Sequence, residues 1–191
     1  MTSKRALTER RAPTHARLVE AATKVVARRG FHAATVDEIA EEAGFSIGAL
    51  YSNFDGKDDV FLAVFDGHLR WFQERLEESA SAEDATRVFK DWMDSLTRDP
   101  EQLLIFIEFW AYAVRRPKLR RSFAARMAEM RADMAAALEQ RAARTGGELQ
   151  LPAATLAVVL LAMARGLGIE KLADDDAFDD TVAQLIASLV P

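Results

Sequence analysis

Apolar residues recur at intervals of three and four along nearly the whole chain, which is the spacing of one face of an α-helix. No segment shows the strict alternation that is typical of a half-buried β-strand. Gly30 follows the first of these stripes as a stop signal. The pattern therefore predicts an all-α protein of about nine helices with short connections. The first helix should run from about 14 to 29 on an apolar stripe of five residues: Leu18, Ala21, Ala22, Val25 and Val26.

Two short helices are expected next. Thr35 and Glu38 have the spacing of a capping box, which predicts a second helix at about 35 to 42. Gly44 ends that helix, and Ser46 is a good N-cap for a third helix that ends near Tyr51. Short helices joined by about three residues form a helix-turn-helix, whose second helix can enter the major groove of DNA. An ordinary αα-hairpin is the alternative.

Proline, glycine and acidic residues mark the boundaries of the remaining helices. These boundaries divide the chain into residues 1–56, with the N-terminal arm and a three-helix domain that contains the helix-turn-helix, and residues 57–191, a larger helical domain called the body below. A long fourth helix, at about 57 to 79, connects the two domains. We expect the other helices at about 81 to 97, 100 to 116, 117 to 144, 152 to 173 and after residue 176.

Composition excludes several kinds of site. Half of the 191 residues are apolar, which is enough for a core. The chain has no cysteine and three scattered histidines, so we expect neither disulfides nor a metal site, and no cofactor. The longest apolar run, Leu151 to Ala164, is shorter than the roughly 20 residues of a membrane span, and the polar N-terminus lacks a signal sequence. We expect a cytoplasmic protein with no membrane partner.

The charge is distributed unevenly along the chain. The net charge is −5, but residues 1–35 carry a charge of +6, because eight Lys or Arg face two acids there. A basic head on an acidic body can bind a polyanion with one end only. A solvated basic tail is the alternative for the arm that contains Lys4, Arg5, Arg10 and Arg11.

An ordered set of residues extends this picture: Ala21-Ala22, Gly30-Phe31, Thr35-Val36, Ile39-Ala40, Ala43-Gly44-Phe45-Ser46, Gly48-Ala49-Leu50-Tyr51, Phe54 and Lys57. With this set, the segment from Leu18 to Val64 resembles the N-terminal domain of the tetracycline-repressor (TetR) family of bacterial transcriptional regulators. The resemblance implies a homodimer that binds double-stranded DNA at a palindromic operator. It also implies a small-molecule effector that releases a repressor from that operator.

The resemblance also implies roles for individual residues. Thr35, Ser46, Tyr51 and Lys57 would hold the phosphate backbone, although packing at the helix end is the alternative for Tyr51. The residues that would face the groove are Ile47, Gly48, Ala49, Ser52 and Asn53. Many relatives carry His at the position of Asn53, and in this chain Asn53 would hydrogen-bond either a base edge or a phosphate.

The body offers candidates for an apolar or aromatic ligand. Methionine suits flexible apolar ligands, but core packing is the alternative for every one of these side chains. Glu108 interrupts an apolar run, so it should pair with Arg115 or another arginine, or anchor a ligand. The candidate ligand-binding residues are Trp92, Phe106, Glu108, Phe109, Trp110, Met127, Met130, Met134 and Met163.

The last two long helices are the candidate dimer interface. Small residues there allow close approach, and the apolar area comes from Leu156, Leu160, Leu185, Ile186 and Leu189. The sequence shows no paired carboxylates, no Ser-His-Asp set and no phosphate loop, so nothing in it indicates an enzyme. The main alternative function is a helical carrier or sensor of apolar ligands, in which the helix-turn-helix is only structural.

Overall fold

The chain is all-α, as predicted. The computed structural model describes residues 2–80, 100–174 and 176–189, and these residues form eight α-helices and no β-strand. The ninth predicted helix, at about 81 to 97, lies outside the described residues. The helices are α1 (Thr2–Ala33), α2 (Val36–Ala43), α3 (Ile47–Asn53), α4 (Lys57–Ala80), α5 (Pro100–Ala113), α6 (Pro117–Thr145), α7 (Ala153–Ala173) and α8 (Asp180–Ala187).

The first helix differs most from its prediction. It starts at Thr2 instead of residue 14 and continues through Pro13. The predicted start is wrong because the apolar stripe begins only at Leu18, whereas the preceding turns are polar yet rich in good helix formers. The predicted stop is confirmed, since Gly30 leaves the helical conformation with φ 73° and ψ 161° and so kinks the helix.

The described chain divides into two compact units. The first contains Met1–His68 and Ile105–Phe123, and the second contains Leu69–Leu104 and Ala124–Pro191. Helices α4, α5 and α6 therefore contribute residues to both units. The core of the first unit is aromatic: Phe31, Phe61, Phe65 and Phe109 are all fully buried.

Helix α7 agrees with its predicted bounds of about 152 to 173, since it continues beyond the apolar run through Arg165 to Ala173. By length and composition alone, its 21 residues could cross a membrane. Seven of them are buried within the protein on one side of the helix, as expected of a core helix: Ala153, Leu156, Ala157, Leu160, Leu161, Ala164 and Gly168.

Candidate DNA-binding site

The turn between α2 and α3 is fixed by local backbone chemistry. Gly44 has φ 70° and ψ 30°, a left-handed conformation that glycine adopts without cost. Its amide donates to the Glu41 carbonyl at 3.0 Å, and the amide of Phe45 donates to the Ala40 carbonyl at 2.9 Å. These two bonds form a Schellman motif, which satisfies carbonyls at the end of α2 and sets the direction in which the chain leaves it.

Arg17 of α1 contacts the same turn from outside. Its guanidinium donates to the Ala43 carbonyl at 3.1 Å and lies 4.7 Å from the centroid of the Phe45 ring. Arg17 is one of the eight basic residues in residues 1–35 that, from the sequence alone, count as positive charge available to DNA. The structure instead engages it in holding the helix-turn-helix together.

Helix α3 presents one exposed side and buries the other. The Ser46 hydroxyl accepts from the Ala49 amide at 3.2 Å, so the predicted N-cap is confirmed. Leu50 faces the core, whereas Ile47 is 42% exposed and Tyr51 is 54% exposed. The two exposed side chains lie one helical turn apart on the side where the sequence predicts the reading face.

Gly48 lies on this exposed side and has no packing reason to be glycine. A Cβ at this position would meet only the Ser46 hydroxyl oxygen, at 3.8 Å, which is ordinary contact. Glycine inside a helix costs roughly 0.5–1 kcal/mol relative to alanine. The missing side chain therefore leaves room for something outside the protomer.

Ser52 and Asn53 turn back onto their own helix. The Ser52 hydroxyl donates to the Ala49 carbonyl at 2.7 Å, and the Asn53 side-chain amide donates to the same carbonyl at 2.8 Å. Asn53 also donates to the Ser52 hydroxyl at 3.2 Å. Either side chain must change rotamer before its donor reaches a base edge.

Thr35 combines its predicted cap with an acidic neighbour. Its hydroxyl accepts from the Glu38 amide at 3.2 Å and donates to the Glu38 carboxylate at 3.0 Å, and its own amide donates to that carboxylate. The capping box is thus confirmed. These bonds, chiefly the one from the Thr35 hydroxyl, lower the pKa of Glu38 below its ordinary value. A phosphate near Thr35 would therefore meet an ionised carboxylate.

Lys57 connects the start of α4 to the end of α1. Its ammonium donates to the His32 carbonyl at 3.0 Å and lies 5.1 Å from the centroid of the Phe61 ring. Burial, helped by the nearby positive charge of Arg116, lowers the pKa of Lys57. Lys57 is partly buried, and its hydrogen bond to the His32 carbonyl is a structural contact in addition to the predicted phosphate contact.

The basic head is partly neutralised by α2. Arg28 forms an ion pair with Glu42 at 2.7 Å, and Arg29 forms one with Glu38 at 2.8 Å. Sequence reasoning missed this because both acids follow residue 35, outside the segment that carries the charge of +6. The side chains of the arm residues Lys4, Arg5, Arg10 and Arg11 lie outside the described part of the chain.

The candidate ligand residues fall into different surroundings. In the first unit, Phe109 stacks on Phe65 with ring centroids 4.5 Å apart, Phe106 joins the same cluster, and Trp110 is 50% exposed. Glu108 accepts a hydrogen bond from the backbone amide of Phe31 at 2.8 Å, a partner other than the expected arginine. Trp92 lies outside the described residues.

In the second unit, Met127, Met130 and Met134 are buried, and Met163 is partly exposed. The Arg165 guanidinium lies 3.0 Å from the Met130 sulfur, and burial lowers the pKa of this arginine to about 10. A cavity of about 370 Å³ between α4 and α6 involves none of the predicted methionines. Its lining residues are Gln73, Leu76, Glu77, Asp133, Ala136, Ala137 and Gln140.

The candidate interface residues are also divided. Leu156 and Leu160 are buried within their own protomer, Leu185 is exposed, Leu189 is partly exposed, and the side chain of Ile186 is not described. The opposite side of α7 instead exposes apolar or small residues that the sequence did not single out: Val158, Ala162, Gly166, Ile169 and Leu172.

An exposed, N-capped α3 that follows a glycine turn at the start of an all-α chain defines a helix-turn-helix protein. Residues 18–64 match the family model described as "Bacterial regulatory proteins, tetR family". Residues 81–190 match the model described as "BetI-type transcriptional repressor, C-terminal". The chain belongs to the TetR family of transcriptional regulators.

Individual relatives agree with this assignment. The fatty acid metabolism regulator protein of Bacillus subtilis is 35% identical over 66 residues, which is 35% of this chain and 34% of the relative. The chain thus matches only about a third of that curated relative's length. Two solved structures share the fold: Salmonella enterica GusR (TM-score 0.73, 21% identity, 93% of each chain) and Bacillus subtilis FadR in complex with stearoyl-CoA (TM-score 0.69, 19% identity, 92% of this chain and 98% of that chain).

Proposed function

We propose that the protein is a cytoplasmic, dimeric transcriptional repressor that binds a palindromic operator and is released from it by an apolar ligand. The observation that carries the proposal is the exposed face of α3, where Ile47 and Tyr51 are exposed and a Cβ at Gly48 would meet only the Ser46 hydroxyl. An αα-hairpin with only a structural role has no need for a glycine at that position.

Affinity and sequence reading are divided between different groups at this site. The amino end of α3, capped by Ser46, and the ammonium of Lys57 attract phosphates, which supply sequence-independent affinity. Ile47 and Ala49 present methyl groups to thymine in the major groove. Asn53 and Ser52 read a base edge or hold a phosphate after a rotamer change, and Thr35 contributes mainly by setting the start of α2.

Dimerisation uses the exposed side of α7. Val158 is 50% exposed and Ile169 is 46% exposed, and an added Cβ at Gly166 would meet nothing within 4 Å. A stripe of this kind on a core helix suits close contact with the same helix of a second copy, related by a two-fold axis. Leu185 and Leu189 of α8 add apolar area next to it. Such a dimer would space two α3 helices by about one DNA turn, roughly 34 Å, or a multiple of it.

The effector is an apolar molecule, and we favour a fatty acyl chain. Two similar proteins support this class: a fatty acid metabolism regulator protein and a FadR whose structure was solved in complex with stearoyl-CoA. In this chain, the buried methionines of α6 are flexible apolar side chains that can rearrange to accommodate an acyl chain.

Release requires the ligand to favour a conformation with misplaced α3 helices. Helix α4 contributes residues to both compact units, so it is the element through which ligand binding can act on Lys57. Changing a dimer from 99% competent to 99% incompetent requires a preference of about 10⁴ in ligand affinity, or about 5.5 kcal/mol.

The decisive experiment identifies DNA and ligand together. Genomic fragments retained by the purified protein would be sequenced, and the shortest retained duplex would be titrated at two salt concentrations, with and without stearoyl-CoA. The proposal expects a palindrome, affinity that falls as salt rises, and release by the acyl-CoA. A protein that binds stearoyl-CoA but retains no DNA at either salt concentration would instead be an apolar-ligand carrier.

A further inference from the structure

The break in α1 is followed by a backbone amide that donates a hydrogen bond to a residue outside the helix. At Gly30 the backbone leaves the helical conformation, and the chain then forms one more turn, closed by the bond from the Ala34 amide to the Gly30 carbonyl at 3.1 Å. The amide of Phe31 faces the Glu108 carboxylate, which accepts it at 2.8 Å. A backbone amide next to a buried core requires such a partner.

Gly30 and Glu108 fit each other sterically as well. A Cβ on Gly30 would lie 2.6 Å from the nearer Glu108 carboxylate oxygen, which is closer than real side chains allow. The positive φ of 73° also favours glycine. A side chain at residue 30 would therefore displace the Glu108 carboxylate from its present position beside the amide.

The hydrogen bond lies beside the aromatic core of the first unit. The Phe31 ring packs edge-on against Phe61 and Phe109, with centroid distances of 5.0 and 5.3 Å. Phe109 directly follows Glu108, so the same turn of α5 contributes both the aromatic contact and the acceptor. A charge-assisted bond in such surroundings is stronger and more directional than one in water.

The position of this bond gives it a role in DNA binding. Five residues after Phe31, α2 begins, and its cap at Thr35 sets the direction of the helix-turn-helix. We infer that Glu108 is a positioning residue for operator binding, which fixes the kink in α1 and thereby the orientation of α2 and α3. The inference rests on the proposed function, and it explains why a carboxylate interrupts the apolar run of α5.

The test compares three variants with the wild-type protein. Glu108→Ala removes the acceptor, Glu108→Gln keeps an acceptor oxygen at the same reach, and Glu101→Ala removes an exposed acid from the first turn of the same helix as a matched control. Operator affinity is measured at several salt concentrations on the duplex retained from genomic fragments. Hydrogen exchange of the Phe31 amide is followed by NMR, and circular dichroism verifies that each variant is folded.

We expect Glu108→Ala to bind the operator at least tenfold more weakly with an unchanged salt slope, because no phosphate contact is lost. Its Phe31 amide should exchange faster, and Glu108→Gln should restore both readouts to within about threefold of wild type. A folded Glu108→Ala that binds as wild type overturns the inference, as does Glu108→Gln that binds as weakly as Glu108→Ala while its Phe31 amide stays protected. If the wild type binds no duplex, the proposed function has failed.

Discussion

The exposed sides of α3 and α7 have one feature in common and differ in the rest. Each carries a helical glycine, Gly48 or Gly166, at which a Cβ would meet no crowding within the protomer. Around Gly48 lie the exposed side chains of Ile47 and Tyr51 and the Ser52 hydroxyl, whereas the exposed side of α7 around Gly166 is mainly apolar, with Val158 and Ile169 about half exposed. A small mixed surface that includes hydroxyl groups tolerates exposure to water between encounters with DNA, but an apolar stripe with a gap favours permanent burial. In the proposed function, the first surface meets an occasional partner and the second a constant one.

Ala49→Glu tests the DNA side of this comparison and should have the largest effect. A carboxylate on the reading face would lie among phosphates, and we expect operator affinity to fall roughly a thousandfold or more, since juxtaposed like charges cost several kcal/mol. Fluorescence anisotropy on the retained duplex would measure the loss. Ala49→Ser is the size-matched control, and an Ala49→Glu dimer that still binds the operator would contradict the assignment of α3.

Ile169→Glu tests the apolar side. A charge in the centre of a buried interface is costly, so we expect a monomer at micromolar concentration and operator affinity reduced by about a hundredfold, because two α3 helices are no longer linked. Sedimentation velocity would report the oligomeric state. Glu170→Gln changes the neighbouring exposed residue and should leave the dimer intact. A dimeric Ile169→Glu protein would move the interface away from this side of α7.

Lys57→Ala and Arg17→Met sharpen the comparison within the DNA-binding unit. Both should weaken binding by about tenfold, but only loss of the phosphate contact of Lys57 should lower the salt slope, by about 0.9. Arg17→Met should leave the salt slope unchanged, because the Arg17 guanidinium donates to the Ala43 carbonyl and makes no phosphate contact in this proposal. The measurement is affinity at four salt concentrations. Equal salt slopes for wild type and Lys57→Ala would mean that Lys57 makes no phosphate contact and acts only through its hydrogen bond to the His32 carbonyl.

Thr35→Ala should have the smallest effect. Loss of the N-cap should lower the free energy of unfolding by about 1 kcal/mol, measured by urea denaturation, whereas Thr35→Ser should retain it. The Thr35 hydroxyl also donates to the Glu38 carboxylate and so lowers the pKa of Glu38. The stability from that second bond is present above the unfolded pKa of Glu38 and is lost as pH falls through its lower folded pKa. The difference between wild type and Thr35→Ala should therefore shrink at acidic pH. If the difference in unfolding free energy stayed constant with pH, the stabilising effect of Thr35 would not depend on the Glu38 carboxylate.

The helix-turn-helix was predictable because its causes are local. The bonds at Thr35, Gly44 and Ser46 each join residues no more than five apart, so the sequence itself places both partners. Ser and Thr are strongly preferred at helix N-caps and Gly just after a helix ends, so their spacing predicts where these helices begin and end.

The contacts that escaped prediction join distant residues. Glu108 and Phe31 are 77 positions apart, and Arg28 and Glu42 are 14 apart on different helices. Periodicity also cannot orient α7, because a helix that is apolar on all sides does not indicate which side its own core will cover. Leu156 and Leu160 were chosen for the interface on apolar character alone, and the fold buries both.

The ion pairs between α1 and α2 have a consequence for how the regulator finds its operator. By engaging Arg28 and Arg29, Glu42 and Glu38 lower the positive potential that any DNA sequence would feel. A genome offers at least about 10⁶ competing sites, and copies held there are withdrawn from the operator. We expect the paired arginines to weaken this random retention more than they weaken operator binding, so that fewer copies of the protein suffice to occupy the operator.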